Sequence, residues 1–424
     1  MTEDVLRKSH QKTAAGKQDF PGFVDKSEPA DKATFLADML TNSAQSPLAE
    51  DVMRKLVAMP TVSDDIAANQ VALAYVSKFL EERGMHVQHF PQASRMHETL
   101  VASTRPGNAK SPAVLLSAHI DTVPATEDMY AVREKDGKYF GRGVYDMKFA
   151  IAAYMAIVDE LQDSLTDYDF AIMIVSDEEI AGRDGVNATT EFIRMGYRPK
   201  FVILPDGGEN WQLETVSNGY MHYKLEAHGV TGHSSRPWLG ENATEKLVDA
   251  IHELRDHFRD QHADSDTLNV AAIRTSEVPA NQIPDFATVE FSIRIRHLGG
   301  LEKWRNIIRD ICSKHGIECN ERAGWDVVFN DLNNPYVRHY AEITEQVTGV
   351  KVAGFHSFAG SDARFFAEIG VPYANAYPEG GGHHSADEWL AVDSLPKFKQ
   401  IVRQYLEDMA KKPAKRKLDA TTKA

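Results

Sequence analysis

Five short polar clusters in this chain carry residue types that bind cations and move protons. The first is Ala118-His119-Ile120-Asp121, directly after the apolar run Ala113–Ala118. His119 there is either a strand-end histidine bonded to its neighbour or a metal-binding imidazole. In the second case Asp121 accepts the other ring N–H and fixes the tautomer. The second cluster, Gly141-Arg142-Gly143-Val144-Tyr145-Asp146, opens a helix from Met147. Asp146 is then an N-cap or a carboxylate bridging two cations. The third, Ser176-Asp177-Glu178-Glu179, follows the apolar run Phe170–Val175. Successive strand side chains face opposite ways, so Glu178 and Glu179 converge only if the chain leaves strand geometry, which Gly182 and Gly185 permit. Like charges crowded beside a buried strand are costly without cations. The fourth, Pro205-Asp206-Gly207-Gly208, is turn chemistry or a further carboxylate ligand. The fifth sets His383 and His384 in a Gly-rich loop that runs on to Glu388.

Together these residues form an imidazole-plus-carboxylate set. It suits zinc or another borderline divalent ion and excludes iron–sulfur and thiolate-zinc chemistry. Two imidazoles and three carboxylates suffice for two ions that share one carboxylate. Cys312 and Cys319, the only cysteines, are too few for a disulfide framework.

The clusters need elements to hold them. Leu48–Met59, Ala67–Arg83 and Met147–Leu161 read as helices, and Ala113–Ala118, Phe170–Val175 and Phe201–Leu204 as buried strands. Strands separated by helices predict a mostly parallel sheet covered on both faces. In such a sheet ligands bind beyond the carboxyl ends of the strands, where the clusters fall. The pattern then changes to strand Met221–Ala227, helix Glu245–Phe258, strands Thr267–Ile273 and Thr288–Arg296, helix Leu301–His315 and strand Ile317–Arg322. That order is ferredoxin-like, with Val289, Phe291, Ile293 and Ile295 on one strand face. Helix–strand alternation resumes after about residue 326 and ends in helix Lys397–Ala410. We therefore expect an α/β domain at 46–216 and 326–408, an α+β insert at 217–325, a loose arm at 1–45 with a short helix near Ala33–Leu40, and a basic tail at 409–424.

Composition bounds the function. Lys plus Arg number 47 against 62 Asp plus Glu, a formal charge of −15, which argues against nucleic acid or an anionic membrane as partner. Met1–Lys17 has no apolar signal segment, and no run reaches the ~18 apolar residues of a membrane span. A cytoplasmic protein is the expectation.

The ordered motifs resemble the M20 family of metallopeptidases and amidohydrolases, which includes succinyl-diaminopimelate desuccinylase, acetylornithine deacetylase, aminoacylase-1, carboxypeptidase G2 and peptidase T. The resemblance spans roughly residues 48 to 408. It implies a zinc-exopeptidase-like catalytic domain with the insert as lid and dimerisation domain. It implies two divalent ions, zinc with cobalt or manganese as alternatives. His119 and Asp206 would hold one, Glu179 and His384 the other, and Asp146 would bridge them. His384 is preferred to His383 because the family places this ligand four residues before a Glu, here Glu388. Family members often carry a cis peptide after the bridging Asp, here Asp146–Met147. Glu178 is the implied general base and Asp121 its catalytic neighbour. His233 resembles a lid histidine that reaches a partner subunit's site and stabilises the oxyanion. Asn281 and Arg294 resemble lid residues that hold the substrate, and Gly360-Ser361 a substrate loop whose N–H groups bind an anion. The implied reaction is hydrolysis of an amide or peptide bond in a small N-acyl amino acid or short peptide by a homodimer. A di- or tripeptide exopeptidase of the peptidase T or carboxypeptidase G2 type is the alternative within the family. A metal-dependent binding protein without catalysis is the alternative outside it.

Overall fold

A computed structural model describes residues 48–91, 97–106, 110–180 and 188–412. The arm at 1–45, its expected helix and the tail beyond 412 lie outside the described residues, as do Gly182 and Gly185.

The principal sheet has six strands in the order His86–Pro91, Glu98–Ser103, Phe170–Val175, Val114–His119, Val202–Ile203, Tyr373–Ala374. From Phe170–Val175 onward every pairing is parallel. The other two pairings are antiparallel, so the sheet, though mostly parallel, is mixed at one edge. The reason lies in connection length. The strands at 86–91 and 98–103 follow closely in sequence and fold back as a hairpin, whereas parallel neighbours need a long crossover. Val114–His119 and Phe170–Val175 are buried along their whole length, as apolar strands covered on both faces must be.

The main crossover is helix Lys148–Leu161, with twelve of its fourteen residues buried. A helix apolar on all sides is a core helix, and this one packs on the Val114–His119 strand and against helices Leu48–Val57 and Ser394–Met409. Its Lys148 is fully buried, and Nζ donates to the Leu56 and Met59 carbonyls at 2.9 Å each. Burial drives that amine down to about 7. The bonded carbonyls close the end of the Leu48–Val57 helix.

Residues 219–325 run strand Gly219–His228, helix Ala243–Asp256, strands Thr267–Thr275 and Phe286–Ile295, helix Gly300–His315 and strand Glu318–Trp325. The antiparallel sheet order is Thr267–Thr275, Phe286–Ile295, Gly219–His228, Glu318–Trp325, which is the ferredoxin-like topology. Val289, Phe291, Ile293 and Ile295 are buried together with Leu247, Leu254, Trp304 and Ile308 of the two helices, as the alternation anticipated. Thr267–Thr275 is an edge strand.

Two small sheets were not visible in the sequence. One pairs Val328–Phe329, Leu213–Ser217 and Gly354–Ser357. The other orders Gly380–Gly381, Trp389–Ala391, Lys138–Phe140 and Arg133–Lys135. The second joins the loop after Phe140 to the hairpin tip at 382–388, although the two are more than 240 residues apart. Among the described residues no helix is long and apolar enough to cross a membrane.

Candidate metal centre

Parallel strands end on the same edge of a sheet, and here four neighbours deliver polar loops to that edge. Val114–His119 ends in His119, and Phe170–Val175 leads to Glu178 and Glu179. Val202–Ile203 leads to Asp206, and Tyr373–Ala374 leads toward His384. Asp146 joins them from the start of the Lys148–Leu161 helix. That helix begins after Met147 and has no side-chain cap, so Asp146 is free of capping. Asp146–Met147 is a cis peptide bond.

The His119 ring fixes its own orientation. Nδ1 lies 3.0 Å from the backbone carbonyl of Asp121, and a carbonyl only accepts, so Nδ1 carries a proton. Nε2 is then turned inward, 3.1 Å from Asp146 Oδ1 and 3.9 Å from Asp206 Oδ1. The expectation for Asp121 is corrected in detail. Its carboxylate is farther from the ring, at 3.6 Å, and instead accepts from Ser63 Oγ at 2.7 Å and from the backbone N–H groups of Glu178 and Glu179 at 3.3 and 3.2 Å. Its main chain orients the histidine, while its side chain clamps the short helical turn Glu178–Ile180. That turn takes the chain out of strand geometry and lets the two acids converge.

Asp146 faces both ways. Oδ1 points to His119, and Oδ2 lies 3.2 Å from His384 Nε2, which is also 2.8 Å from Glu179 Oε2. Two three-donor groups result, His119–Asp146–Asp206 and Asp146–Glu179–His384, with Asp146 common to both. His383 instead lies against the rings of Tyr145 and Tyr377. Gly380 is needed for this approach, because a Cβ on it would sit 2.2 Å from the Tyr145 ring.

The electrostatics are those of acids crowded without counter-ions. Burial and the nearby Asp206 charge push Glu178 well above the carboxylate range. Burial and Asp146 lift Asp206 to about 8, against His119. Burial opposes charge on His119, but its bonds to Asp121 and Asp146 prevail and raise it. Bonds to Asp146 and Glu179 raise His384 to about 10. Burial likewise opposes charge on Asp146, and His119 and His384 together overcome it and lower its pKa. Metal binding at such a site competes with protons for the same ligand atoms. The donors fit a pair of divalent ions, because Asp206 Oδ2 is buried with no hydrogen-bond partner among the described residues and an orphaned carboxylate oxygen can serve as a ligand atom.

Around this cluster lie residues that the motifs did not single out. Glu388, read only as a spacing marker, is fully buried. It accepts from Arg142 Nη1 at 2.6 Å and from the backbone N–H groups of Gly143, Tyr145 and Asp146 at 2.9, 3.0 and 3.1 Å. It shapes the loop that presents Asp146. Removing one member of a buried pair strands the other charge at about 3–5 kcal/mol. Glu388→Ala is therefore expected to lower stability by about that amount, read from the urea midpoint of metal-free protein; an unchanged midpoint would show the pair to be idle. Asn375 is a second such residue. Its Oδ1 accepts from Asp206 N at 2.8 Å and its Nδ2 donates to Ser361 Oγ at 3.0 Å.

The expected substrate residues fall in two places. His233 and Asn281 are exposed neighbours, joined by Ser234 N donating to the Asn281 carbonyl at 2.9 Å. His233 Nδ1 accepts from Ser235 N at 3.1 Å. No hydrogen bond or ion pair links His233 to the cluster among the described residues. Arg294 lies 4.5 Å over the Tyr220 ring and has no carboxylate partner among the described residues. Gly360 rests against Trp325. Ser361 is buried, and its hydroxyl is taken by Asn375 and by Ala363 N, so its side chain supports the loop instead of facing a cleft.

Comparison with known proteins bears on the family and the fold. Residues 115–408 match the family model described as Peptidase family M20/M25/M40. A succinyl-diaminopimelate desuccinylase from Bordetella petrii is 26% identical over 377 residues, covering 84% of this chain and 97% of that protein. Among solved structures, a tripeptidase from Staphylococcus aureus superposes with a TM-score of 0.68 at 16% identity, covering 85% of this chain and 98% of the other. An M20 family metallo-carboxypeptidase from Sulfolobus solfataricus gives 0.67 at 15% identity, again over 85% and 98%. At such identities the two structures speak for the fold alone.

Proposed function

The chain belongs to peptidase family M20/M25/M40, and from that premise we propose that it hydrolyses an amide or peptide bond in a small N-acyl amino acid or short peptide. The observation that carries the reading is the Asp146 carboxylate, whose two oxygens face His119 and His384 at 3.1 and 3.2 Å. We assign His119, Asp146 and Asp206 to one divalent ion and Asp146, Glu179 and His384 to the other, with zinc as the preferred metal and cobalt or manganese as substitutes. When bound, such a pair acidifies water and polarises the scissile carbonyl.

The residues of the chain do the rest. Glu178 is half-buried beside these ligands, within the field of Asp206 and His119. With cations held by its neighbours, Glu178 would be favoured as a carboxylate, the form that can take a proton from the attacking water. It then passes that proton to the leaving amine. His233 Nδ1 is bonded to Ser235, which leaves Nε2 without a partner among the described residues, an arrangement suited to donating to an oxyanion. Arg294, a cation without a carboxylate partner among the described residues, suits the carboxylate of an amino acid, with Asn281 and the Gly360 backbone holding other polar groups.

We read residues 46–216 and 326–408 as the catalytic domain and 217–325 as the lid. The lid's edge strand Thr267–Thr275 and helix Ala243–Asp256 expose Ile273 and Val248, each 53% accessible. An unpaired edge with apolar side chains is a template for a second chain, so a homodimer that supplies His233 in trans fits this face. Light scattering tests that reading, and a monomer with full turnover removes the trans role.

The deciding experiment counts metal per chain after loading with zinc, cobalt or manganese. It assays the same samples on succinylated and acetylated amino acids in parallel with di- and tripeptides. Two ions per chain with turnover of one substrate class supports the proposal and selects the class. Protein that holds no ion, or turns over neither class when loaded, removes it.

A further inference from the structure

The Tyr377 hydroxyl lies 2.8 Å from Asp146 Oδ1 and 2.8 Å from Asp206 Oδ1. These same two oxygens face His119 Nε2. Four polar atoms from four separate segments of the chain therefore surround one small space. Tyr377 is fixed in it from two directions. Its backbone N–H donates to Gly207 O at 2.6 Å, which bolts its loop to the loop of Asp206. Its ring stacks on Tyr145 with centroids 4.5 Å apart, against the residue that precedes Asp146.

A phenolic hydroxyl has one proton and donates to one carboxylate oxygen at a time. Two carboxylates side by side repel, and a shared donor between them is what keeps Oδ1 of both turned toward His119. We propose that Tyr377 is a positioning residue for the ion held by His119, Asp146 and Asp206, and that its hydroxyl sets that ion's affinity by donating to the ligand carboxylates. The proposal rests on the metal centre proposed above. Partners one shell beyond the ligands orient them, and losing one typically costs about 10–100-fold in metal affinity.

Tyr377→Phe removes only the hydroxyl and keeps the ring stacked on Tyr145. Wild type and variant are titrated with zinc against a chromophoric chelator, and ions per chain are counted independently. The expected result is two ions in wild type and, in the variant, one binding step weakened by about 10–100-fold, with metal-free melting temperatures alike. Two unchanged binding steps in the variant overturn the role of Tyr377 and leave the centre standing. Wild type that binds no ion overturns the centre itself. A phenolate-to-copper charge-transfer band in copper(II)-loaded wild type, absent from the variant, also overturns the proposal, because Tyr377 would then be a direct ligand.

Discussion

Glu178→Gln is expected to lower kcat by about 10²–10⁴-fold, the usual worth of a positioned proton-transfer group, while two ions per chain remain. The argument separates Glu178 from its neighbour. Glu179 Oε2 touches His384 at 2.8 Å, whereas no hydrogen bond or ion pair reaches the Glu178 carboxyl among the described residues. Its environment is set by desolvation and by the field of Asp206, which together raise its pKa. Glutamine has the same shape, keeps the clamp from Asp121 on the backbone of residues 178 and 179, and cannot accept the proton. Metal content and single-turnover rate measured on one preparation decide it. Near-normal turnover would remove Glu178 as the base.

Asp146→Asn is expected to abolish turnover by a different route, through the ions. Asp146 alone belongs to both donor groups. An amide offers one weak acceptor oxygen where the carboxylate offers two charged ones, so neither group keeps three good donors. Metal stoichiometry after dialysis should fall below one per chain. The fold should hold, because Glu388 grips this loop through backbone N–H groups and Arg142, not through the Asp146 side chain. A variant that retains two ions at wild-type affinity would refute the bridging assignment.

Much of this arrangement was legible before the structure. An apolar run followed at once by a histidine or acids marks the end of a buried strand, and parallel strands bring such ends together. His119, Glu178, Glu179 and Asp206 were therefore visible as neighbours in space. The ferredoxin-like insert was legible because Val289, Phe291, Ile293 and Ile295 alternate without interruption.

What escaped reading has physical causes. Glu388 and Tyr377 act on Asp146 across sequence separations of 242 and 231 residues, and no local spacing encodes that. The antiparallel edge of the main sheet was missed because His86–Pro91 mixes polar and apolar residues without a continuous apolar run. The inward turn of the Ser361 hydroxyl could not be read, because Asn375, which donates to it, is distant in sequence. The tautomer of His119 depends on a main-chain carbonyl, which carries no residue identity to read.

The two ends of the Asp146 carboxylate open onto unlike surroundings. The His119 imidazole is 1% accessible, walled in by strand ends, while that of His384 is 51% accessible on a hairpin tip with positive φ. One end is a vault and the other a doorway. Under a chelator the outer cation is expected to depart first, so that ions counted per chain fall from two to one before they fall to none.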